Sequence, residues 1–458
     1  MITIQRSDEL DDSFFLPREF AELNNTVGEI VAAVATRGDA ALAEYGARFD
    51  GVVPTSFLVS PDDARAAAEH LRSAMPQVYD ALRYSYDLAL RFAQRQRESF
   101  VDFETELEPG LFTGQKNIPV DRAGVYIPAG RFPLISTVIM TVAPAQAAGV
   151  RSIVLCSPPR VHPDNRSATV AAGKGQTGEP VIGCKPYIDS SILAAAHICG
   201  VERVYACGGA QAIAAMAYGT ETIPAVDVIV GPGNAFVTEA KKRVYGHVGI
   251  DMLAGPTEVF IIADSSARPA WIAADLLAQA EHDVFAQPVL ATPDAAVAAA
   301  VAAEIETQLS QLPTREIARK SIDSFGRIVI TESLEEAADI ANRKAPEHLE
   351  LAVEAGNVRD SLVARVHNYG SLFIGHYSAE VLGDYAAGLN HTLPTAGSAR
   401  FTGGLSVRAF LKTVTTLRAD EMAPDVSGVQ KSAAAAAALG TAEGLLAHAY
   451  AAQLRLTQ

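Results

Sequence analysis

The chain is poor in cysteine and lacks the local signatures of several common chemistries. Its 458 residues include four cysteines, Cys156, Cys184, Cys199 and Cys207, with no Cys-x-x-Cys pair. All four fall within one third of the chain, which argues against a disulfide framework for the whole and for buried reduced thiols in a cytoplasmic protein. Basic residues are also scarce: 37 Lys and Arg face 53 Asp and Glu, a formal net charge of −16. Nucleic acid and anionic membranes require a basic footprint, so neither is an expected partner. No uninterrupted run reaches ~18 apolar residues, so no transmembrane helix is expected. The acidic start MITIQRSDELDDSFF lacks the apolar stretch of a signal peptide. The His-Glu-x-x-His zinc motif, the Gly-x-Ser-x-Gly nucleophile elbow, internal repeats and coiled-coil heptads are missing too. GPGNAF (231–236) lacks the last glycine of the dinucleotide fingerprint. Any metal site must therefore be assembled from distant segments.

Apolar residues make up 49% of the chain, ample for several cores, and the length suggests two to four domains. Residues 25–100 place apolar positions at helical spacing. From about Gly124 the period shortens. AGVYIP, RSIVLCSPP, VERVYACGG and VDVIVGPGN are β-rich runs that lead into Pro or Gly, with Ala-rich helical stretches between them. That alternation predicts βαβ units and a parallel sheet. A second set predicts a second α/β unit: TEVFIIAD, a helix through Gln279, PVLATP, a helix near 294–311, RIVITES and a helix near 334–343. Two successive units predict a two-lobed enzyme with a cleft. Pro158–Pro186, rich in Pro, Gly and small polar residues, reads as a long surface loop. The C-terminal KSAAAAAALGTAEGLLAHAYAAQLRL reads as an Ala-rich helical segment broken at Gly440, with little side chain to bury and so a need to pack closely against something.

Four of the ten histidines stand in unusual company: Gln279/His282 in DLLAQAEHD, Glu347/His348 in APEHLEL, Asp384/His391 in GDYAAGLNHTLPT and Glu443/His448 in AEGLLAHA. The other six, His70, His162, His197, His247, His367 and His376, read as surface or satisfied core residues. Gln279 and His282, spaced i and i+3, share one helix face. Either the helix surfaces there or the pair holds half of a metal site; spacing alone leaves both open. GGAQA (208–212) follows a strand-like run and opens a helix, the setting of a phosphate-facing helix N-terminus and equally of a packing turn.

Six segments in order, ERVYACGGAQAIAAMAYGTETIPAVDVIVGPGNAFVTEAKK, GIDMLAGPTEVFIIAD, DLLAQAEHD, APEHLEL, NYGSLFIG and GDYAAGLNHTLPT, resemble the histidinol dehydrogenase family, from about residue 25 to the C-terminus. The resemblance implies an α/β fold of two Rossmann-like, aldehyde-dehydrogenase-like lobes with small N- and C-terminal helical parts, in an intertwined homodimer. It divides the chain into an arm (1–24), a zinc and catalytic lobe (25–125 and 256–400), an NAD-binding lobe (126–255) and a helical dimerisation segment (401–458). It implies zinc- and NAD-dependent four-electron oxidation of L-histidinol, via L-histidinal, to L-histidine, with one zinc per subunit.

By the same resemblance the zinc ligands would be Gln279, His282, Asp384 and His448, the last supplied by the partner subunit. His348 would take the alcohol proton and Glu347 would activate the attacking water. Thr257, Tyr385, His391 and Glu443 would join Gln279, His282, His348, Asp384 and His448 around the substrate. Tyr126, Gln211 and Asn234 would contact NAD. Departures exist: Ala129 where the family commonly has Gly, Arg131 close behind it, Thr257 for the usual Ser, and a longer Pro158–Pro186 loop. KNIPV, GRFP, GPTE and TGGLSV resemble a sister branch that oxidises 2,3-dihydroxypropane-1-sulfonate to sulfolactate. That leaves a sulfonated diol, or another small polyol, as the alternative substrate, with Arg131 suited to the anion.

Overall fold

The structure, a computed structural model, describes residues 2–16, 24–130, 133–163, 180–420 and 422–456. Arg131 and the middle of the Pro158–Pro186 loop lie outside the described residues, and so do the expectations placed on them. The chain forms two compact units: Met1–Gln94 with Asp121–Phe410, and Arg95–Val120 with Leu411–Gln458.

The larger unit holds both predicted α/β layers. Its six-stranded sheet runs Thr3–Arg6, Arg327–Ile330, Gln287–Thr292, Glu258–Ala263, His348–Ala352, Ser371–Ile374, with every neighbouring pair parallel. The inner strands EVFIIA, QPVLAT and HLELA are buried at every position, the continuous apolar run of a sheet covered on both faces. The pleat sends alternate residues to opposite sides. Val259, Ile261 and Ala263 share a core with helices Pro269–Ala280, Ala295–Leu309 and Arg315–Phe325. Phe260 and Ile262 share the other core with helices Leu334–Lys344 and Asn357–Arg365. Each fully buried side chain of this size contributes about 1.5–3 kcal/mol.

The five-stranded sheet runs Gly249–Ile250, Val228–Val230, Arg122–Tyr126, Ser152–Ser157, Arg203–Ala206, again all parallel. Two local expectations need correction in this unit. Within the helical stretch 25–100, Val52–Pro54 is a strand. Its partner is Val181–Cys184, so the far end of the Pro158–Pro186 loop is an ordered strand rather than loop throughout.

The smaller unit contains an antiparallel sheet, Leu411–Ala419, Leu111–Pro119, Phe103–Glu108, which the apolar pattern does not announce. Helices Ser427–Ala442 and Leu446–Gln453 complete it. The break between them falls at Gly444 (φ 76°) and not at Gly440. Gly440 lies inside the first helix, where a Cβ would come 2.9 Å from the Ala449 nitrogen, so its role is close helix packing. All four cysteines are buried and free. Among the described residues no helix is long and apolar enough to cross a membrane.

Candidate active site

The amino ends of the central strands of the larger sheet collect the polar residues. Helix Leu334–Lys344 stops at Ala345, which takes a left-handed backbone (φ 51°, ψ 63°), and Pro346 follows. A proline disfavours helical backbone in the residue before it, so the turn is enforced. It delivers Glu347 and His348 to the start of strand His348–Ala352, where they are 5% and 3% exposed.

The His348 Nδ1 lies 3.1 Å from the Glu258 carbonyl oxygen. With Nδ1–H donating there, Nε2 carries the lone pair. Nε2 is buried and makes no hydrogen bond; Asp384 Oδ1 stands 3.4 Å away. Burial alone would lower the His348 pKa, but the carboxylates of Glu347, Asp384 and Glu380 outweigh it and hold the pKa well above the usual imidazole value. Glu347 Oε2 accepts the Thr257 hydroxyl at 2.5 Å and the Glu258 N–H at 2.9 Å. Burial pushes the Glu347 pKa up to about 7, against the lowering pull of His348 and of those two hydrogen bonds.

Gln279 occupies the last turn of helix Pro269–Ala280 and is 1% exposed. Its amide fits the site in two orientations. With Nε2 toward the Thr257 hydroxyl, Oε1 faces the Glu380 carboxylate, acceptor against acceptor. Turned over, Nε2 lies 2.8 and 3.1 Å from the two Glu380 oxygens, and Oε1 accepts from Thr257. The second orientation removes the contact between acceptors at Glu380, and it requires the single Thr257 proton to turn from Glu347 to Gln279.

His282 closes the turn after that helix, its N–H donating to the Gln279 carbonyl at 3.3 Å. The residue is exposed. The surrounding protein depresses its pKa while Asp384 pulls the other way. Burial would raise the Asp384 pKa, yet His348, His391 and His282 together bring it below the usual value. One carboxylate thus faces three imidazoles. His391, its own pKa lowered by burial, has Nε2 3.3 Å from the Ser136 hydroxyl. Tyr385 follows Asp384 and is exposed.

The structure therefore brings Thr257, Gln279, His282, Glu347, His348, Asp384 and His391 to one place. Glu443 and His448 belong to the smaller unit, both at exposed positions. Among the described residues no three His, Cys, Asp or Glu side chains are grouped to hold a metal. The larger unit offers an amide oxygen, one imidazole and one carboxylate as donors. Sequence reasoning missed Glu380, buried to 1%, and the buried carboxyls beside it. Burial pushes Glu350 up to about 8, with Asp275 adding to the rise, and pushes Asp275 up to about 7. The one signal available was a Glu inside the apolar strand HLELA.

The candidate cofactor residues lie at the carboxyl ends of the smaller sheet. Tyr126 ends strand Arg122–Tyr126, and its hydroxyl accepts the Gly209 N–H at 3.0 Å, at the start of helix Gly209–Tyr218. The Gln211 amide donates to Asp50 Oδ2 at 3.3 Å, and burial raises the Asp50 carboxyl to about 6. Asn234 Oδ1 caps helix Ala235–Val244 by accepting from Phe236 N and Val237 N. Gly231 (φ 115°) sits so close to the Tyr126 backbone that a Cβ would be 2.3 Å from its carbonyl oxygen. A buried pair pins this loop: Lys241 donates to Asp251 and to the Gly231 carbonyl, and Asp251 accepts the Gly231 N–H. The chain order reverses between strands Arg122–Tyr126 and Val228–Val230, the crevice where open α/β sheets take nucleotides.

A family model described as histidinol dehydrogenase matches residues 17–182 and 177–456. Among curated relatives, a histidinol dehydrogenase of Synechococcus sp. is 44% identical over 435 residues, covering 94% of this chain and 91% of the relative. One from Geobacillus kaustophilus is 44% identical over 436 residues, covering 95% and 94%. Among solved structures, a histidinol dehydrogenase from Elizabethkingia anophelis aligns with a TM-score of 0.86 at 34% identity, covering 99% of this chain and 98% of that one. Matches of this extent on both sequence and fold lead to one conclusion: the chain belongs to the histidinol dehydrogenase family.

Proposed function

We propose that this chain oxidises L-histidinol, through L-histidinal, to L-histidine, the closing steps of histidine biosynthesis, using zinc and NAD. The observation that carries the reading is the pair at the strand start: a buried imidazole with an unpartnered Nε2, beside a carboxyl raised to about 7. Relatives named for histidinol span more than nine tenths of the chain and favour that substrate over the sulfonated diol.

In this reading Gln279 Oε1, His282 and Asp384 hold zinc together with the partner subunit's His448; nitrogen and oxygen donors of these types suit the metal. When bound, zinc fixes the amino alcohol and polarises its oxygen where that oxygen reaches the metal. Tyr126, Gln211 and Asn234 would hold NAD along the crevice, and the cofactor would supply the hydride acceptor for each half-reaction. Helices Gly209–Tyr218 and Ala235–Val244 start at this crevice, and their positive ends would favour the cofactor's phosphates.

In its neutral form, reached as pH rises past a pKa held above the usual imidazole value, His348 Nε2 takes the hydroxyl proton in the first half, its tautomer fixed by the bond from Nδ1–H to Glu258. Glu347, titrating near neutrality, takes a proton from the water that attacks the aldehyde. Thr257 and the Glu258 N–H hold that carboxyl in place. In this reading the cofactor lobe is built on the five-stranded sheet, with Val27, Ile30, Val34 and Leu42 in its core, and the catalytic lobe on the six-stranded sheet. The reading includes a homodimer and a cytoplasmic location, in keeping with four free buried thiols.

The test is NADH formation by zinc-loaded protein offered L-histidinol and 2,3-dihydroxypropane-1-sulfonate side by side. Two NADH per histidinol is the expected result. Turnover of the sulfonate alone would overturn the substrate assignment.

A further inference from the structure

We infer that Asn390 is a positioning residue for the substrate: it docks the turn that carries His391 onto a carbonyl that Pro144 leaves open in helix Ile135–Ala148. This role presupposes the reading above, in which His391 faces the substrate. The helix runs through Pro144 without a break. A proline nitrogen carries no hydrogen, so Pro144 cannot take up the carbonyl four residues back, that of Met140. Every residue from Thr137 to Ala145 is buried, a setting in which an unpaired carbonyl is costly. Asn390 Nδ2 donates to the Met140 carbonyl at 2.7 Å.

The Asn390 amide has one satisfactory orientation. A backbone carbonyl only accepts and a backbone N–H only donates. Nδ2 meets the Met140 carbonyl, while Oδ1 accepts the Thr392 N–H at 2.9 Å. Swapping the two atoms would set acceptor against acceptor at one end and donor against donor at the other. The bond to Thr392 closes an Asx turn around His391. One amide therefore shapes the turn and ties it to the helix. Ser136 lies four residues before Met140, on the same helix face, with its hydroxyl 3.3 Å from His391 Nε2. That contact holds whichever partner donates. Two successive residues of the turn thus grip one stripe of a single helix. The helix packs on strand Arg122–Tyr126 of the five-stranded sheet, so the imidazole assigned to the substrate hangs from the cofactor lobe.

The test is a double-mutant cycle read as L-histidinol affinity, by calorimetry on the full-length, zinc-loaded protein without NAD. Asn390→Asp keeps the acceptor for Thr392 but turns an oxygen toward the Met140 carbonyl. Alone it should weaken L-histidinol binding about fivefold, the scale of one hydrogen bond, with zinc content and the KM for NAD unchanged. In a His391→Ala background the same substitution should change affinity by less than about twofold, because no imidazole is left to position. An equal loss in both backgrounds, or a matching loss of zinc or of NAD affinity, means that Asn390 supports the loop as a whole, and overturns the inference. Wild-type affinity in the single variant overturns it too. Thermal unfolding of each variant checks the fold. If Asn390→Asp does not fold, Asn390→Ser, too short to reach the helix, enters the same cycle with the same expected outcomes. A His391→Ala protein that binds L-histidinol as tightly as the wild type would instead bring down the reading of His391 and the inference with it, and that variant alone reveals this.

Discussion

In the smaller parallel sheet the candidate cofactor residues sit at the carboxyl ends of the strands; in the larger sheet Thr257, Gln279, Glu347 and His348 sit at the amino ends. The wiring of the two sheets is otherwise alike. Apart from the edge strand Thr3–Arg6 of the larger sheet, each starts from an inner strand, Arg122–Tyr126 or Glu258–Ala263, adds the next two strands on one side, and the last two on the other. What differs is which end is used. Carboxyl ends of strands lead into helix starts, which carry unpaired N–H groups and partial positive charge. Amino ends follow helix ends, which carry free carbonyls and partial negative charge. The first edge suits an anionic dinucleotide and the second suits a cation. Titration follows the same division. Asn234, Gly209 and Gly231 make the first edge mainly from neutral groups, with Lys241 and Asp251 neutralising each other behind them and Asp50, raised to about 6, beside Gln211. The second gathers Glu347, Glu350 and Asp275, all with raised proton affinity.

Substitutions at the two edges should separate cleanly. His348→Asn should lower alcohol oxidation about 1,000-fold, the middle of the range for general base catalysis. Zinc content and NAD affinity should hold; a matching loss of NAD affinity would show that the edges do not act separately. Asn234→Ala should do the reverse, raising KM for NAD about tenfold, ~1.4 kcal/mol, with zinc content unchanged. Loss of the cap should also cost about 1 kcal/mol in denaturant unfolding.

Glu350→Gln sharpens the claim that the amino edge carries buried acid at the expense of stability. The Glu350 carboxyl titrates at about 8 in the fold, above its unfolded value near 4.3. Between those values the folded state binds the extra proton, so its contribution to stability falls as pH rises. Melting curves should show the variant gaining on the wild type from pH ~5 upward and levelling above about 8, by a few degrees. A difference that stays flat across pH would contradict the assignment. Ala345→Gly is the mildest change. It relieves a left-handed alanine beside the catalytic pair, worth roughly 1 kcal/mol, and adds unfolded-state freedom of similar size. The melting temperature should therefore move by no more than about 2 °C.

The α/β layers were legible because the inner strands are short apolar runs, several of them ending in Gly or Pro, with helical periodicity between. The antiparallel sheet was not: FETELE and LKTVTTLRA lie mostly exposed, so neither shows the burial signature that marks a strand. APEHLEL and DLLAQAEHD stood out because polar residues interrupt apolar surroundings that geometry later proves to be buried. Glu380 did not, since SAEVLGDY reads as the acidic start of a surface helix and only tertiary packing encloses it. The proposed metal donors come from separate segments, so their grouping is carried by the family resemblance and not by spacing.

The smaller unit draws on two stretches far apart in the chain, and this shapes how the protein is made. Hairpin Phe103–Glu108 with Leu111–Pro119 leaves the ribosome early, but its third strand, Leu411–Ala419, follows roughly 300 residues later. At synthesis rates of ~5–20 residues per second, the wait is some tens of seconds. Throughout it, nine residues of strand edge stand open to any other extended chain. Every nascent copy passes through this interval, so yield in the cell should depend on how fast the last segment is translated and on what shields that edge until it arrives.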